Sequence, residues 1–333
     1  MNIKNRSEAE QVKIDVITGF LGAGKTTFIN KVLESITEKD FTVILENEFG
    51  EISVDAMSFD SSLVDVKEIN SGCICCTFQG DFQTALEGIY EYYNPDRIII
   101  EPSGIAHMSQ VIEVIEEFLS KKDKYGYINI RCVIIDVLNY EMYKENFSDF
   151  YTDQIENAAS IILSKIQYAE ETAVENVVQD VRDLNGHGII LSQNWAEMST
   201  PDILKFVEPS HDQLINSGQQ LQVEKNISDV QFEQWSGSIE EQTSLDKLNK
   251  FIDLLKKSSK DFDSNNGFGM VLRAKGIIKT DSNQVIKFDY IPGYFWQSNF
   301  DQDVDTGRIN LIGVNLNKEL INDFWYNYRA VKL

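Results

Sequence analysis

Two short segments of the sequence carry the residue types best suited to chemistry. The first, Gly19 to Thr27, reads GFLGAGKTT and fits the spacing G-x-x-x-x-G-K-[ST] of a phosphate-binding loop. In such a loop, glycines let backbone N–H groups point at phosphate oxygens, and the following helix presents its positive end to the same anion. Lys25 would reach the β- and γ-phosphates, and the Thr26 hydroxyl would bind Mg²⁺. The predicted nucleotide-binding residues are Gly19, Gly22, Ala23, Gly24, Lys25, Thr26 and Thr27.

The second segment contains Cys73, Cys75 and Cys76, three of the four cysteines in the chain. Cysteines this close together are a poor framework for disulfides, so in a reducing compartment they indicate metal or redox chemistry. Three thiolates suit Zn²⁺, Cu(I) or Co²⁺ and leave a fourth position for water or another side chain. The alternative is that these cysteines are small buried hydrophobic residues. We expect that simpler role for Cys132, which is alone in an apolar strand.

Apolar patterns along the first two thirds of the chain predict the elements that position these segments. A buried strand is expected at 12–18, directly before the phosphate loop, and a helix at 25–39 after it. Further strands are predicted at 41–47, 97–101, 130–137, 160–164 and 188–191, and further helices at 78–93, 108–120 and 171–184. This alternation indicates an α/β fold, a P-loop NTPase domain with a mostly parallel sheet covered on both faces.

A smaller α+β domain is predicted after a connection that is rich in Gln, Ser and Asp. Strands are expected at 229–239, 270–279, 285–290 and 308–314, and helices at 244–257 and 317–328. Short turns between sequential strands favour an antiparallel sheet. Its core is expected to include Tyr290, Tyr294, Phe295 and Trp296. We therefore expect the P-loop domain at 10–208, a linker at 209–226 and the second domain at 227–333.

Composition narrows the classes of partner. A chain of 333 residues accommodates two domains, and its formal net charge of −23 disfavours nucleic acid and anionic membrane surfaces as partners. The sequence shows neither a signal-peptide core near its N-terminus nor an uncharged apolar run of membrane-spanning length. We expect a soluble, cytoplasmic protein.

Five motifs follow one another along the chain: GFLGAGKTT at 19–27, ENEFGE at 46–51, GCICCT at 72–77, EPSG at 101–104 and RAKG at 273–276. In this order they resemble the motifs of the CobW-type family of P-loop GTPases, metallochaperones related to the urease and hydrogenase nickel-insertion GTPases. The first four would lie in the GTPase domain, and the last would lie in the family's C-terminal domain. The resemblance covers nearly the whole chain.

The resemblance implies a role for each motif. Cys73, Cys75 and Cys76 would hold a transition metal, Zn²⁺ or Co²⁺, with Glu46 and Glu51 as candidate oxygen ligands. Glu101 would belong to the second switch and position a water molecule, and Gly104 would donate its N–H to the γ-phosphate. The catalytic residues would then be Lys25, Glu101 and Gly104. The implied activity is slow Mg²⁺-dependent GTP hydrolysis that controls metal transfer to a client metalloprotein, and related GTPases form nucleotide-dependent homodimers.

Two positions depart from the family pattern. The segment that reads guanine, usually N-K-x-D, is Ser164-Lys165-Ile166-Gln167 here. The Gln167 amide has one acceptor oxygen and brings a competing donor, so we expect weaker discrimination between GTP and ATP. His107 stands where the family usually has Asp, and it is a candidate fourth metal ligand, although an isolated His is usually a surface or structurally satisfied residue.

Two other function classes stay open from the sequence. One is a metal buffer or sensor with a degenerate base site and little turnover, for which the Gln167 departure is the main support. The other is a P-loop kinase acting on a small molecule, which is weakened because the sequence shows no evident arginine-rich lid.

Overall fold

A computed structural model describes residues 11–35, 41–46, 65–68, 78–121, 126–208, 231–240, 242–258, 267–300 and 304–327. The described residues up to 208 form one compact unit, and those from 231 onward form a second. The predicted domain and linker ends at 208–209 and 226–227 stay predictions. No helix in these described ranges is long and apolar enough to cross a lipid bilayer.

The first unit alternates strands with helices, as predicted. Its elements are β1 (Val12–Gly19), α1 (Lys25–Leu33), β2 (Thr42–Glu46), β3 (Asp65–Glu68), α2 (Phe78–Gly88), β4 (Arg97–Glu101), α3 (Met108–Leu119), β5 (Gly126–Asp136), α4 (Tyr140–Asn146), α5 (Ser148–Glu156), β6 (Ser160–Ser164), α6 (Glu171–Leu184), β7 (Ile189–Leu191) and α7 (Thr200–Val207). A π-helical turn at Ile89–Tyr93 extends α2 to the predicted end of that helix. Elements β3, α4, α5 and α7 are additional to the predicted ones.

The strands of this unit form one seven-stranded sheet in the order β3-β2-β4-β1-β5-β6-β7. Every pairing in it is parallel. Apolar side chains such as Ile17, Ile44 and Ile134 bury one face of the sheet against Phe28 and Ile29 of α1. The predicted fold class is thus confirmed. Since all strands run the same way, the residues that follow them meet at one carboxyl edge, where open α/β sheets bind ligands.

A buried ionic network fastens α7 to the sheet. The Arg97 guanidinium donates to Asp15 Oδ2 at 2.7 Å and to Glu208 Oε1 at 2.6 Å, and Asn129 Nδ2 donates to Asp15 Oδ1 at 2.8 Å. Burial raises the pKa of Asp15 even though Arg97 opposes that shift. A buried ion pair is costly to break on one side only, so this network fixes the start of β4, the strand that ends at Glu101.

The second unit is an antiparallel sheet with helices packed on one face. Its elements are β8 (Phe232–Ile239), α8 (Leu245–Ser258), β9 (Met270–Lys279), β10 (Val285–Ile291), β11 (Tyr294–Asn299), β12 (Gly307–Val314) and α9 (Lys318–Tyr326). The strand order is β11-β10-β9-β12-β8, and all pairings are antiparallel. The α+β architecture is therefore confirmed, with β11 as an additional strand.

The aromatic core of this unit differs from the prediction in one respect. Tyr290 is buried and Phe295 packs against the core, whereas Tyr294 and Trp296 are exposed at 44% and 42%. Placing Tyr294 and Trp296 in the core was wrong, because alternate residues of β11 point to opposite faces of the sheet. The motif glycine Gly276 has a packing role: a Cβ there would lie 2.4 Å from Cε1 of Phe288.

Candidate nucleotide and metal site

The phosphate loop joins β1 to α1 in a backbone conformation that requires glycine. Gly19, Gly22 and Gly24 have φ angles of 146°, 72° and 107°, which L side chains rarely adopt. A Cβ at Gly19 would also lie 2.5 Å from the Ile134 carbonyl oxygen. Among the described residues, no side chain caps the N-terminus of α1, and its first turn contains no acidic residue. The helix end is thus suited to receive an anion.

Lys25, Thr26 and Glu101 come together at the start of this helix. The Thr26 hydroxyl lies 3.2 Å from both carboxylate oxygens of Glu101, and Lys25 Nζ lies 3.8 Å from Glu101 Oε1. Lys25 is 5% exposed and Glu101 is 6% exposed. Strands β1 and β4 are neighbours in the sheet, so the loop after one faces the turn after the other. The cluster offers a cation, a hydroxyl and a carboxylate at the position expected for the β- and γ-phosphates and Mg²⁺.

The turn after β4 packs against the backbone of the phosphate loop. A Cβ at Gly104 would lie 2.7 Å from the Leu21 nitrogen, so only glycine allows this approach. Phe20 of the loop also packs among the rings of Tyr143, Phe147 and Tyr151, with centroids 4.4, 5.1 and 6.1 Å away. The loop is thus held by contacts with the turn and with the region of helices α4 and α5.

The segment predicted to read the base, Ser164 to Gln167, follows β6 and lies beside the phosphate loop. A Cβ at Gly24 would be 3.4 Å from Ser164 Oγ. Lys165 has a φ of 63°, and its ammonium group donates to Asp136 Oδ2 at 2.8 Å. Asp136 also accepts from the Leu138 N–H at 3.0 Å and from Asn139 Nδ2 at 2.8 Å. Its side chain therefore caps the turn after β5 and holds Lys165. Gln167 is exposed in the short turn Ile166–Tyr168.

The order of strands sets out the predicted site residues along the carboxyl edge. Glu46 ends β2 directly opposite Glu101 at the end of β4, and β1 with the phosphate loop comes next. On the far side of β1, Asp136 at the end of β5 is paired with Ser164 at the end of β6. One edge thus carries a candidate metal ligand, the Lys25–Thr26–Glu101 cluster and the base-reading segment, in that order.

The proposed metal ligands divide into described and undescribed residues. Cys73, Cys75, Cys76 and Glu51 lie outside the described residues, so their roles stay predictions. Glu46 is buried. His107 packs on the Phe150 ring with centroids 4.6 Å apart, and its Nδ1 lies 3.8 Å from Asp153 Oδ2. Within the described ranges, no three His, Cys, Asp or Glu side chains form a group that could hold a metal ion. Cys132 is fully buried as expected, and burial raises the pKa of its thiol to about 12.

Sequence reasoning missed the contribution of α5. Gln154 is fully buried there and donates through Nε2 to the carbonyl oxygens of Gly104 and Ala106, at 3.2 and 2.9 Å. The signal was present, because Phe147, Tyr151 and Ile155 define an apolar helical face on which Gln154 is the polar exception.

The parallel sheet, the glycine-dependent loop and the Lys25–Thr26–Glu101 cluster define a P-loop nucleotide-binding domain. Residues 13–192, more than half of the chain, match the family described as CobW/HypB/UreG, nucleotide-binding domain. The chain belongs to that family, as the five motifs predicted.

Named relatives are similar over parts of the chain. The zinc chaperone YeiR of Escherichia coli K12 is 37% identical over 103 residues, which are 31% of this chain and 31% of the relative. The zinc chaperone CobW of a Sinorhizobium species is 41% identical over 108 residues, 30% of each chain. The zinc chaperone YjiA of E. coli K12 is 28% identical over 165 residues, 48% of this chain and 51% of the relative. The matches thus span about a third to a half of the length of these relatives.

Proposed function

We propose that this protein binds and slowly hydrolyses GTP with Mg²⁺ and uses the nucleotide state to control the binding and transfer of Zn²⁺ or Co²⁺ to a client metalloprotein. The observation that carries the proposal is the cluster of Lys25, Thr26 and Glu101 at the N-terminus of α1. Zinc is the first choice because the relatives quoted above are named zinc chaperones. A cytoplasmic location and a nucleotide-dependent homodimer belong to the same proposal.

The residues present fit a Mg²⁺ ion. Hydroxyl and carboxylate oxygens are the ligands this hard cation prefers, and Thr26 and Glu101 bring both within 3.2 Å of each other. When bound, Mg²⁺ would neutralise charge on the β- and γ-phosphates. Lys25 would stabilise the negative charge that develops as the γ-phosphate is transferred to water. Glu101 would orient that water or a metal-bound one, and Gly104 would hold the γ-phosphate through its N–H.

The strand ends provide a short connection between nucleotide and cargo metal. Glu46, a candidate cargo ligand, and Glu101 are register partners on adjacent strands, which are about 4.8 Å apart in a sheet. If contacts with the γ-phosphate order the turn after β4, the position of the neighbouring Glu46 carboxylate changes with them. We therefore propose that Glu46 joins Cys73, Cys75, Cys76 and Glu51 in a ligand set that changes with the nucleotide.

We propose that the site prefers GTP over ATP only weakly. Lys165, which directly precedes the turn Ile166–Tyr168, is held by Asp136, but Gln167 replaces the carboxylate that would accept two hydrogen bonds from guanine. This departure also supports the second candidate function, a metal buffer or sensor with little turnover.

Phosphate release separates these functions. We expect wild-type protein with Mg²⁺ and GTP to release phosphate without any added acceptor, and Glu101→Gln to reduce the rate about 100-fold or more. Glu113→Gln, an exposed position on α3, is the matched control and should retain the wild-type rate. Wild-type protein that binds GTP and metal but releases no phosphate would support the buffer or sensor. Turnover only with a small-molecule acceptor would support a kinase.

A further inference from the structure

Helix α5 fastens the turn after β4 through two consecutive side chains. Gln154 Nε2 donates to the carbonyl oxygens of Gly104 and Ala106, and this side chain is fully buried. Asp153 accepts from the Ser109 N–H through Oδ2 at 3.2 Å and from the Ser109 hydroxyl through Oδ1 at 2.5 Å. The segment from Gly104 to the first turn of α3 is thus fixed at both ends by one helix.

The Gln154 contacts act on the backbone around the glycine that faces the phosphate loop. Gly104 has no side chain that could hold the turn in place, and a Cβ there would lie 2.7 Å from the Leu21 nitrogen. A hydrogen bond to the Gly104 carbonyl fixes the peptide that follows, and the bond to Ala106 fixes the next part of the turn. The Gly104 N–H belongs to the preceding peptide, whose Ser103 carbonyl accepts from the Ala106 N–H at 2.9 Å. Because Gln154 holds the Gly104 and Ala106 carbonyls, it supports the turn that this bond closes, and the direction of the Gly104 N–H depends on it in that way.

Gln154 is an unusual choice for a position that needs only packing. Its Oε1 atom is buried and has no hydrogen-bond partner among the described residues. A buried acceptor without a partner is unfavourable, and a methionine of similar shape would avoid that cost. The amide is therefore explained by the two donor hydrogen bonds that it makes to the turn.

We propose that Gln154 is a positioning residue that sets the Gly104 N–H for the γ-phosphate, so that GTP binding and hydrolysis depend on it and GDP binding does not. The inference rests on the proposed function, because it needs Gly104 to contact a γ-phosphate. GDP lacks that phosphate, so the ratio of GTP to GDP affinity isolates this contact from general damage to the fold.

The test replaces the donor and compares it with a matched buried amide. Gln154→Met keeps the shape and removes both donor bonds. Asn185→Leu is the control, because Asn185 Nδ2 is also buried and donates to the carbonyl oxygens of Ile155 and Ala158, at 2.7 and 2.8 Å, away from the turn. Affinities for Mg²⁺-GDP and for a non-hydrolysable GTP analogue are measured by titration calorimetry, together with kcat and thermal stability.

We expect Gln154→Met to lower affinity for the GTP analogue about tenfold, the free energy of about one net hydrogen bond, with GDP affinity unchanged within about twofold. Asn185→Leu should lower thermal stability and leave the ratio of GTP to GDP affinity unchanged. Equal losses for both nucleotides in Gln154→Met, or an unchanged ratio, would overturn the inference. If Gln154→Met does not fold, Gln154→Asn is used instead, because it keeps the amide but shortens its reach. The same fall in the ratio of GTP to GDP affinity is then expected. Wild-type protein that binds neither nucleotide would refute the proposed function itself.

Discussion

Two regions lie along the same carboxyl edge of the sheet: the phosphate end, around residues 19–26 and Glu101, and the base end, at Ser164 to Gln167. They differ in how completely they match the family pattern. At the phosphate end, every motif position is filled, and Lys25, Thr26 and Glu101 lie within 4 Å of one another. At the base end, Lys165 is bound to Asp136, and Gln167 stands exposed in place of the expected carboxylate. The first end is suited to any nucleoside triphosphate, whereas the second is the proposed determinant of which base is accepted.

This difference indicates that phosphate chemistry and base selection can vary independently. Binding of phosphates depends on the helix N-terminus and on glycine backbone geometry, which are local to residues 19–26. In the proposed function, base selection depends on single side chains of another loop. Changes at the phosphate end should therefore affect turnover with either nucleotide, and changes at the base end should affect only the preference between them.

The largest effect is expected from Lys25→Ala. Removal of this buried cation takes away the charge proposed to stabilise the transferred phosphoryl group and breaks the ion pair with Glu101, so kcat/KM for GTP should fall about 1000-fold or more. The fall should be similar with ATP. Lys31→Ala, on the same helix, serves as control and should keep the wild-type value. A tenfold or smaller loss in Lys25→Ala would mean that the loop does not perform the chemistry.

A smaller loss is expected from Gly104→Ala. The new Cβ would lie 2.7 Å from the Leu21 nitrogen and must displace the turn, so GTP hydrolysis should fall about 100-fold while GDP binding is retained. Gly186→Ala is the matched control, because a Cβ there meets no atom within 4 Å. Phosphate-release kinetics and GDP titration of both variants check the prediction. Equal behaviour of the two variants would exclude Gly104 from the γ-phosphate site.

The smallest effect of these three, and the one specific to the base end, is expected from Gln167→Asp. A carboxylate restores the bidentate acceptor for guanine, which should raise the preference for GTP over ATP about 30-fold, with little change in kcat. Gln179→Asp, exposed on α6, should leave the preference unchanged. Competition binding of the two nucleotides measures the ratio. If ATP binding rises together with GTP binding, the segment Ser164 to Gln167 does not read the base.

The two ends also differ in how far the sequence predicts them. Residues 19–27 were sufficient to predict the phosphate loop, because its glycines, its lysine and the start of the following helix are contiguous in the sequence. Strand alternation further predicted that Glu101 ends a strand at the same edge. The pairing of Lys165 with Asp136 was not predicted, since it joins residues 29 positions apart on neighbouring strand ends.

Several of the elements that sequence reasoning missed have no strong local pattern. Residues 147, 151 and 155 share an apolar helical face that the sequence shows, but only the tertiary fold decides that aromatic residues of α4 and α5 pack around Phe20. Gln154 could be recognised as a polar exception on that face, but its partners are 48 and 50 residues away. In β11, propensity alone did not show which aromatic residues face the core, because strand pairing decides that.

The most direct test of the proposed link between nucleotide and metal is titration calorimetry of GTP into metal-free and Zn²⁺-loaded protein, with a Cys73/Cys75/Cys76→Ala variant alongside. We predict that Zn²⁺ shifts the affinity for GTP in the wild type and has no effect in the variant, which still binds GTP. The same GTP affinity with and without Zn²⁺ in the wild type would contradict the account, because the two sites would then be independent.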